Sequence, residues 1–186
     1  MDSPAAGRLR AAWDHELRGL QGSFSIDLRS LDGPVVSRDP ATVHYAASTI
    51  KLAVLGALLR ECSAGTPVGL GTRVQPRFPS AAGGSFALAQ GDDQDDETWA
   101  RLGQEVALTT LAERMIVASG NLATNLILER IGLDTVQAYL AGLGLAGQLR
   151  VGRLIGDTAA EALGITNTVT ASGLASLMLG FARATA

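Results

Sequence analysis

The stretch Tyr45-Ala46-Ala47-Ser48-Thr49-Ile50-Lys51-Leu52 continues into Ala53-Val54-Leu55-Gly56-Ala57-Leu58-Leu59 and sets the reading of the chain. From Ile50 to Leu59 the residues are apolar nearly all round, which predicts a helix buried on most sides. Ser48 stands where an N-cap or first-turn residue belongs. On a helix, residues three apart share a face, so the Lys51 amine can approach the Ser48 hydroxyl. A serine hydroxyl is a poor nucleophile until a neighbouring base accepts its proton. A lysine desolvated by Leu52, Leu55 and the rest of that helix can lose its own proton and serve as that base. The amides at a helix N-terminus would favour negative charge on a substrate oxygen. An N-cap serine and a snorkelling lysine would produce the same tetrad, so spacing alone does not decide. The count adds weight: the fifteen basic residues are fourteen arginines and one lysine, Lys51.

Upstream, residues 4–20 place Leu9, Trp13, Leu17 and Leu20 at helical spacing, with Pro4 suited to a first turn. Gly22 to Arg29 alternates Phe24, Ile26 and Leu28 against polar partners. Leu31-Asp32-Gly33-Pro34 is a turn, and a second strand begins at Val35-Val36-Ser37, so residues 22–38 read as a hairpin. Downstream, 65–71 is a loop, and 74–84 is irregular with a short strand. Five acids crowd residues 92–97 (Asp-Asp-Gln-Asp-Asp-Glu), which predicts an exposed or partly disordered loop, because like charges repel. The second half is mainly helical. One helix is capped by Thr109 or Thr110 and runs to Ala118, and another runs from Leu122 to Ile131, ending at Gly132. A third, 135–141, is capped by Asp134, and a last one covers 170–183. Residues 145–169 read as mostly loop. The fold class is α+β (mixed) in a single domain, 1–186, with a helix and hairpin over 1–47 and a mainly helical part over 48–186.

Composition narrows the chemistry. Of 186 residues, 47% are apolar and 18% charged, a globular balance. A net charge of −3 offers no basic face, which argues against nucleic-acid binding. The longest apolar run, Leu52 to Leu59, is far short of the ~20 residues of a membrane helix. Met1-Asp2-Ser3-Pro4 opens no apolar segment, so no secretory signal is visible; the expected location is the cytoplasm, with export by another route left open. Cys62 is the only cysteine and His15 and His44 the only histidines, which excludes an internal disulfide and argues against a metal or other cofactor. No G-x-S-x-G elbow occurs, so a Ser-His-Asp hydrolase is disfavoured and His44 is expected to be structural.

Ser119-Gly120-Asn121 falls between two predicted helices, a place from which a hydroxyl and a carboxamide can be aimed into a cleft. A serine there can relay a proton to a leaving group, and an asparagine can bind a substrate amide; a plain helix break explains the tripeptide equally well. In order and approximate spacing, three segments together resemble the class A β-lactamases and the wider penicillin-recognising serine hydrolases. They are the hairpin followed by Ser48-Thr49-Ile50-Lys51, the run Met115 to Leu126, and Asn167-Thr168-Val169-Thr170-Ala171. The resemblance covers most of the chain and implies a β-lactamase-like fold. It further implies that Ser48 is the acylated nucleophile, Lys51 its base or proton partner, Ser119 the proton relay and Asn121 a substrate ligand. The implied substrate is a β-lactam or a related peptide-like amide.

The sequence departs from that pattern in three places. Gly120 replaces the family's usual aspartate, which braces the cleft. The deacylating glutamate of the class A Ω-loop has no clear counterpart; Asp157 and Glu161 are the acids in the region, and neither has the expected Glu-x-x-Leu-Asn context. An acyl-enzyme with no base to activate water turns over slowly, which moves the reading toward a penicillin-binding, peptidase-like or esterase-like hydrolase. Finally, with Lys51 the only lysine, the K-T-G element is absent; the family pattern places it beyond Ala186. The resemblance therefore implies an incomplete representative, nearly inactive as it stands, whose hairpin lacks sheet neighbours. The competing readings are a binding protein that keeps the cleft without turnover, and a helical interaction module working through the acidic loop 92–97.

Overall fold

The computed structural model describes residues 4–67 and 69–184. Its helices are α1 (Pro4–Glu16), α2 (Ile50–Ser63), α3 (Asp96–Trp99), α4 (Leu108–Val117), α5 (Asn121–Ile131), α6 (Leu133–Gly142), α7 (Thr158–Ala162) and α8 (Ala171–Ala184). The strands are β1 (Ile26–Ser30), β2 (Gly33–Arg38), β3 (His44–Tyr45), β4 (Gly71–Arg73), β5 (Arg77–Pro79), β6 (Ser85–Ala87), β7 (Glu105–Ala107), β8 (Leu149–Arg150) and β9 (Thr168–Val169). The chain is α+β and divides into two compact units, residues 1–44 with 169–186, and residues 45–168. The last helix thus belongs to the same unit as the hairpin.

In the first unit β1 and β2 pair antiparallel with Leu28 opposite Val36, and the register shifts between Leu28 and Arg29, where Pro34 faces Arg29. That bulge accommodates a residue with no N–H to donate. The connecting turn is Leu31–Asp32, so the second strand begins two residues before Val35. α1 stops at Glu16 rather than reaching residue 20, and Gly19, at φ 83°, turns the chain. Arg29 joins β1 to α8 by donating from Nη1 to Ser176 Oγ at 2.7 Å while its Nε donates to Asp27 at 2.8 Å. His44 lies 2.7 Å from Ser25 Oγ, a structural pairing of the kind expected of it. The sheet of this unit has two strands, and Leu28, Leu31 and Val35 are exposed.

The second unit is built round α2 and α5. Ala53, Val54 and Ala57 of α2 are wholly buried, as are Leu122, Ala123, Leu126 and Ile127 of α5. Small residues on α2 let its neighbours approach closely: a Cβ on Gly56 would lie 2.3 Å from the Tyr139 hydroxyl of α6. Two short antiparallel pairs, β4 with β7 and β5 with β6, flank the helices. α4 grows directly out of β7, with Ala107 at its N-cap, so Thr109 and Thr110 lie inside its first turn rather than capping it. Asp134 likewise sits in the first turn of α6, whose N-cap is Gly132. That glycine ends α5 as predicted, and its φ of 84° is the left-handed value a side chain disfavours.

The acidic segment departs most from expectation. Residues 90–92 form a 3₁₀ turn, 96–99 a helix, and Asp95 is fully buried. Repulsion among five acids is relieved because two of them are matched by donors elsewhere: Asp95 receives Arg114, and Asp93 receives backbone amides at the start of α5.

Candidate active site

Ser48 sits in a 3₁₀ turn, Ala47–Thr49, that leads into α2. Ala47 holds φ 45°, a left-handed conformation uncommon for a residue with a Cβ, and Thr49 Oγ1 donates to the Ala46 carbonyl. These features expose Ser48 at the mouth of a cleft while Lys51, one turn on, is only 3% exposed. The cleft has a volume of about 280 Å³ and is lined by Ser48, Thr49, Lys51, Leu52, Met115, Ile116 and Ser119.

Lys51 Nζ is the hub. Its three N–H groups are shared among four acceptors: Ser48 Oγ at 3.3 Å, Ser119 Oγ at 3.0 Å, Asn121 Oδ1 at 3.0 Å and the Ser119 carbonyl at 2.5 Å. All four residues singled out in the sequence thus meet at one nitrogen. Burial lowers the Lys51 pKa from 10.5 to about 8, against an opposing upward pull from the Asp93 carboxylate. At neutral pH roughly a tenth of the amines are then uncharged, some 300-fold more than for a solvated lysine. Arginine could not do this, which gives the single lysine its chemical sense.

Ser119 and Asn121 reach the hub because the chain breaks between α4 and α5. Ser119 adopts φ 54°. The Gly120 amide donates to the Arg114 carbonyl at 3.2 Å, and the Gly120 carbonyl accepts from Thr124 Oγ1 at 2.6 Å. The Asn121 carboxamide is fixed at both ends, its oxygen by Lys51 and its nitrogen by donation to the Asp92 carbonyl at 3.1 Å.

The sequence did not mark Asp93 and Asp95 as part of this site. Asp93 accepts from the amides of Asn121 (2.9 Å) and Leu122 (2.8 Å) and from Trp99 Nε1 (3.0 Å), capping α5 directly behind the hub. Asp95 accepts from Arg114 Nε at 2.8 Å and Nη2 at 2.6 Å, and from Thr98 Oγ1 at 2.5 Å. Burial works to raise the Asp95 pKa, but these donors and the guanidinium charge outweigh it and hold the carboxyl below its usual value. No local signal marked Asp93 and Asp95, because the donors Arg114, Asn121 and Leu122 lie 19, 28 and 29 residues downstream.

The two candidate deacylating acids point to other tasks. Asp157 is fully buried and accepts from Ser80 Oγ (2.8 Å), the Ala81 amide (2.8 Å) and the Ala160 amide (3.1 Å), so it joins the 80–81 turn to α7. Glu161 is half-exposed and pairs with Arg153 at 3.0 Å. One turn on from Asn121 in α5, Asn125 holds residue 155 from both sides, accepting from the Ile155 amide at 2.9 Å and donating to its carbonyl at 2.8 Å.

A family model described as the beta-lactamase enzyme family matches residues 9–186. A search of the curated proteins returned no match. Among solved structures, a beta-lactamase from Xanthomonas campestris pv. campestris aligns with TM-score 0.73 and 20% identity over 91% of this chain and 60% of its own. One from Sphaerobacter thermophilus gives 0.70 and 20% over 95% and 61%. The structure titled PBP-A gives 0.70 and 22% over 95% and 62%. At these identities the likeness is one of fold, and the chain spans about three-fifths of the length of those structures.

Proposed function

We propose, for a chain that belongs to the beta-lactamase enzyme family, that it forms a covalent acyl-enzyme on Ser48 with a β-lactam or related peptide-like amide. Ser48 Oγ attacks the carbonyl carbon as its proton passes to the neutral Lys51 amine. Collapse of the tetrahedral intermediate breaks the C–N bond, and the leaving nitrogen takes a proton through Ser119 Oγ, itself 3.0 Å from Lys51 Nζ. Asn121, oriented at both ends of its carboxamide, keeps a second N–H and a lone pair for a substrate amide. The observation that carries the proposal is the convergence of Ser48, Ser119 and Asn121 on a buried amine whose pKa is about 8.

The engagement of Asp157 and Glu161 elsewhere favours a long-lived acyl-enzyme over rapid hydrolysis, hence penicillin-binding behaviour rather than efficient lactamase turnover. Intact-mass spectrometry after incubation with benzylpenicillin tests this. The expected result is a persistent adduct of one penicillin that maps to Ser48 and is missing in Ser48→Ala. Fast release of hydrolysed drug would replace the slow-turnover reading with a lactamase. Protein left unmodified at millimolar drug would overturn acylation and leave a non-catalytic binding role. An interaction module built on the acidic segment is disfavoured, because Asp93 and Asp95 face inward and only Asp92, Asp96 and Glu97 of its acids are exposed.

A further inference from the structure

Gly120 has φ −61° and ψ 123°, a conformation open to any L-residue. Backbone freedom therefore does not explain a glycine there. Space does. A Cβ at position 120 would lie 2.8 Å from Asp95 Oδ2, 2.9 Å from Asp95 Cβ and 3.3 Å from Asp95 Cγ. The volume next to the Ser119–Asn121 turn that a side chain at 120 would fill is already occupied, by a fully buried carboxylate supplied from the acidic segment.

That carboxylate is built in. Both Arg114 contacts, from Nε and Nη2, converge on Asp95 Oδ1, and Thr98 Oγ1 donates to Oδ2. Arg114 also touches the turn itself, since its carbonyl accepts the Gly120 amide at 3.2 Å. One residue of α4 therefore grips Asp95 with its side chain and Gly120 with its backbone. Two residues before Asp95, Asp93 caps Asn121 and Leu122. The turn that carries Ser119 and Asn121 to Lys51 is thus backed by the acidic segment at Gly120, Asn121 and Leu122.

We infer that Asp95 is a positioning residue that supplies, from a separate stretch of chain, the carboxylate missing at position 120, and that Gly120 is glycine because Asp95 fills its side-chain space. As far as it concerns acylation, the inference rests on the proposed function; the bracing of the turn does not.

Relocating the aspartate tests both parts. In the whole chain, Asp95→Gly, Gly120→Asp and the double variant Asp95→Gly/Gly120→Asp are compared with the parent; glycine at 95 also removes the Cβ that would lie 2.9 Å from one at 120. Two readouts are used: amide hydrogen exchange over residues 119–124, and the rate of Ser48 labelling by a fluorescent penicillin between pH 6 and 9. Each single variant is expected to exchange faster over the turn. Each should also label at least tenfold more slowly, the first through an unbraced turn with Arg114 left to its contact with the exposed Glu97 and the second through overcrowding. In the double variant the new carboxylate falls within side-chain reach of Arg114, and both readouts are expected to return to within about threefold of the parent. If Asp95→Gly does not fold, Asp95→Asn is measured alone: it keeps the volume and loses the charge, so its turn should still exchange faster and label more slowly than the parent's. A double variant as impaired as the two singles combined overturns the inference, as does turn protection unchanged in Asp95→Gly or in Asp95→Asn. If no variant or parent is labelled but exchange shows the reciprocal rescue, the acylation proposal fails and the bracing role stands.

Discussion

Replacing Lys51 with methionine isolates the energetic cost of the buried amine. The native ammonium is 3% exposed and its pKa falls from 10.5 to about 8, so the folded state binds the proton less tightly than the unfolded one. Between those two pH values the unfolded chain carries more protons at this site, and stability rises with pH. Above about pH 10.5 the amine is neutral in both states and the penalty is gone. Below about pH 8 it is charged in both, and the full penalty applies. The span corresponds to roughly 2–3 kcal/mol, the lower figure allowing for water that reaches the ammonium through the cleft. Lys51→Met carries no such dependence, so subtracting its curve isolates the contribution of Lys51. With one lysine in the chain, no other ammonium side chain enters the difference. Urea unfolding of both proteins from pH 7 to 10.5 is the assay. The native protein should gain 2–3 kcal/mol on the variant over that range, and stability curves parallel within about 0.5 kcal/mol would show that Lys51 is solvated and refute the reasoning.

Other substitutions report on the frame around the site. Asn125→Ala strips the Ile155 amide and carbonyl of their partners and should destabilise by roughly 2 kcal/mol, with faster hydrogen exchange confined to residues 152–157. Gly56→Ala drives a Cβ into the Tyr139 ring and should cost about 1–3 kcal/mol by thermal unfolding. For Asp157, burial opposes the charged form, but donors from Ala81, Ser80 and Ala160 and the charge of Arg153 prevail, and the pKa lies below its ordinary value. Its stabilisation is therefore present above the ordinary carboxylate pKa and lost as pH falls through the lower folded value. Asp157→Asn should be less stable at neutral pH and should approach the native protein on acidification below the ordinary carboxylate pKa, as followed by urea unfolding.

What the sequence settled by itself is local. Helical spacing makes Ser48 and Lys51 neighbours wherever a helix forms, and an apolar helix buries whatever sits on it, so the tetrad, the hairpin and the main helices could be read directly. The Ser119–Asn121 break was legible as a break, but its place against Lys51, 68 and 70 residues away, followed from the packing of α2 with α4 and α5. Tertiary structure alone decided the fate of the charges. A run of acids reads as solvent-exposed because nothing in its own neighbourhood neutralises it. Here the partners lie 19 residues on, at Arg114, and 28 and 29 residues on, at the amides of α5. Asp157 met its partner across 77 residues. A carboxylate is stable in a core only where donors converge on it, and convergence of distant donors is a property of the closed chain, which no window of sequence contains.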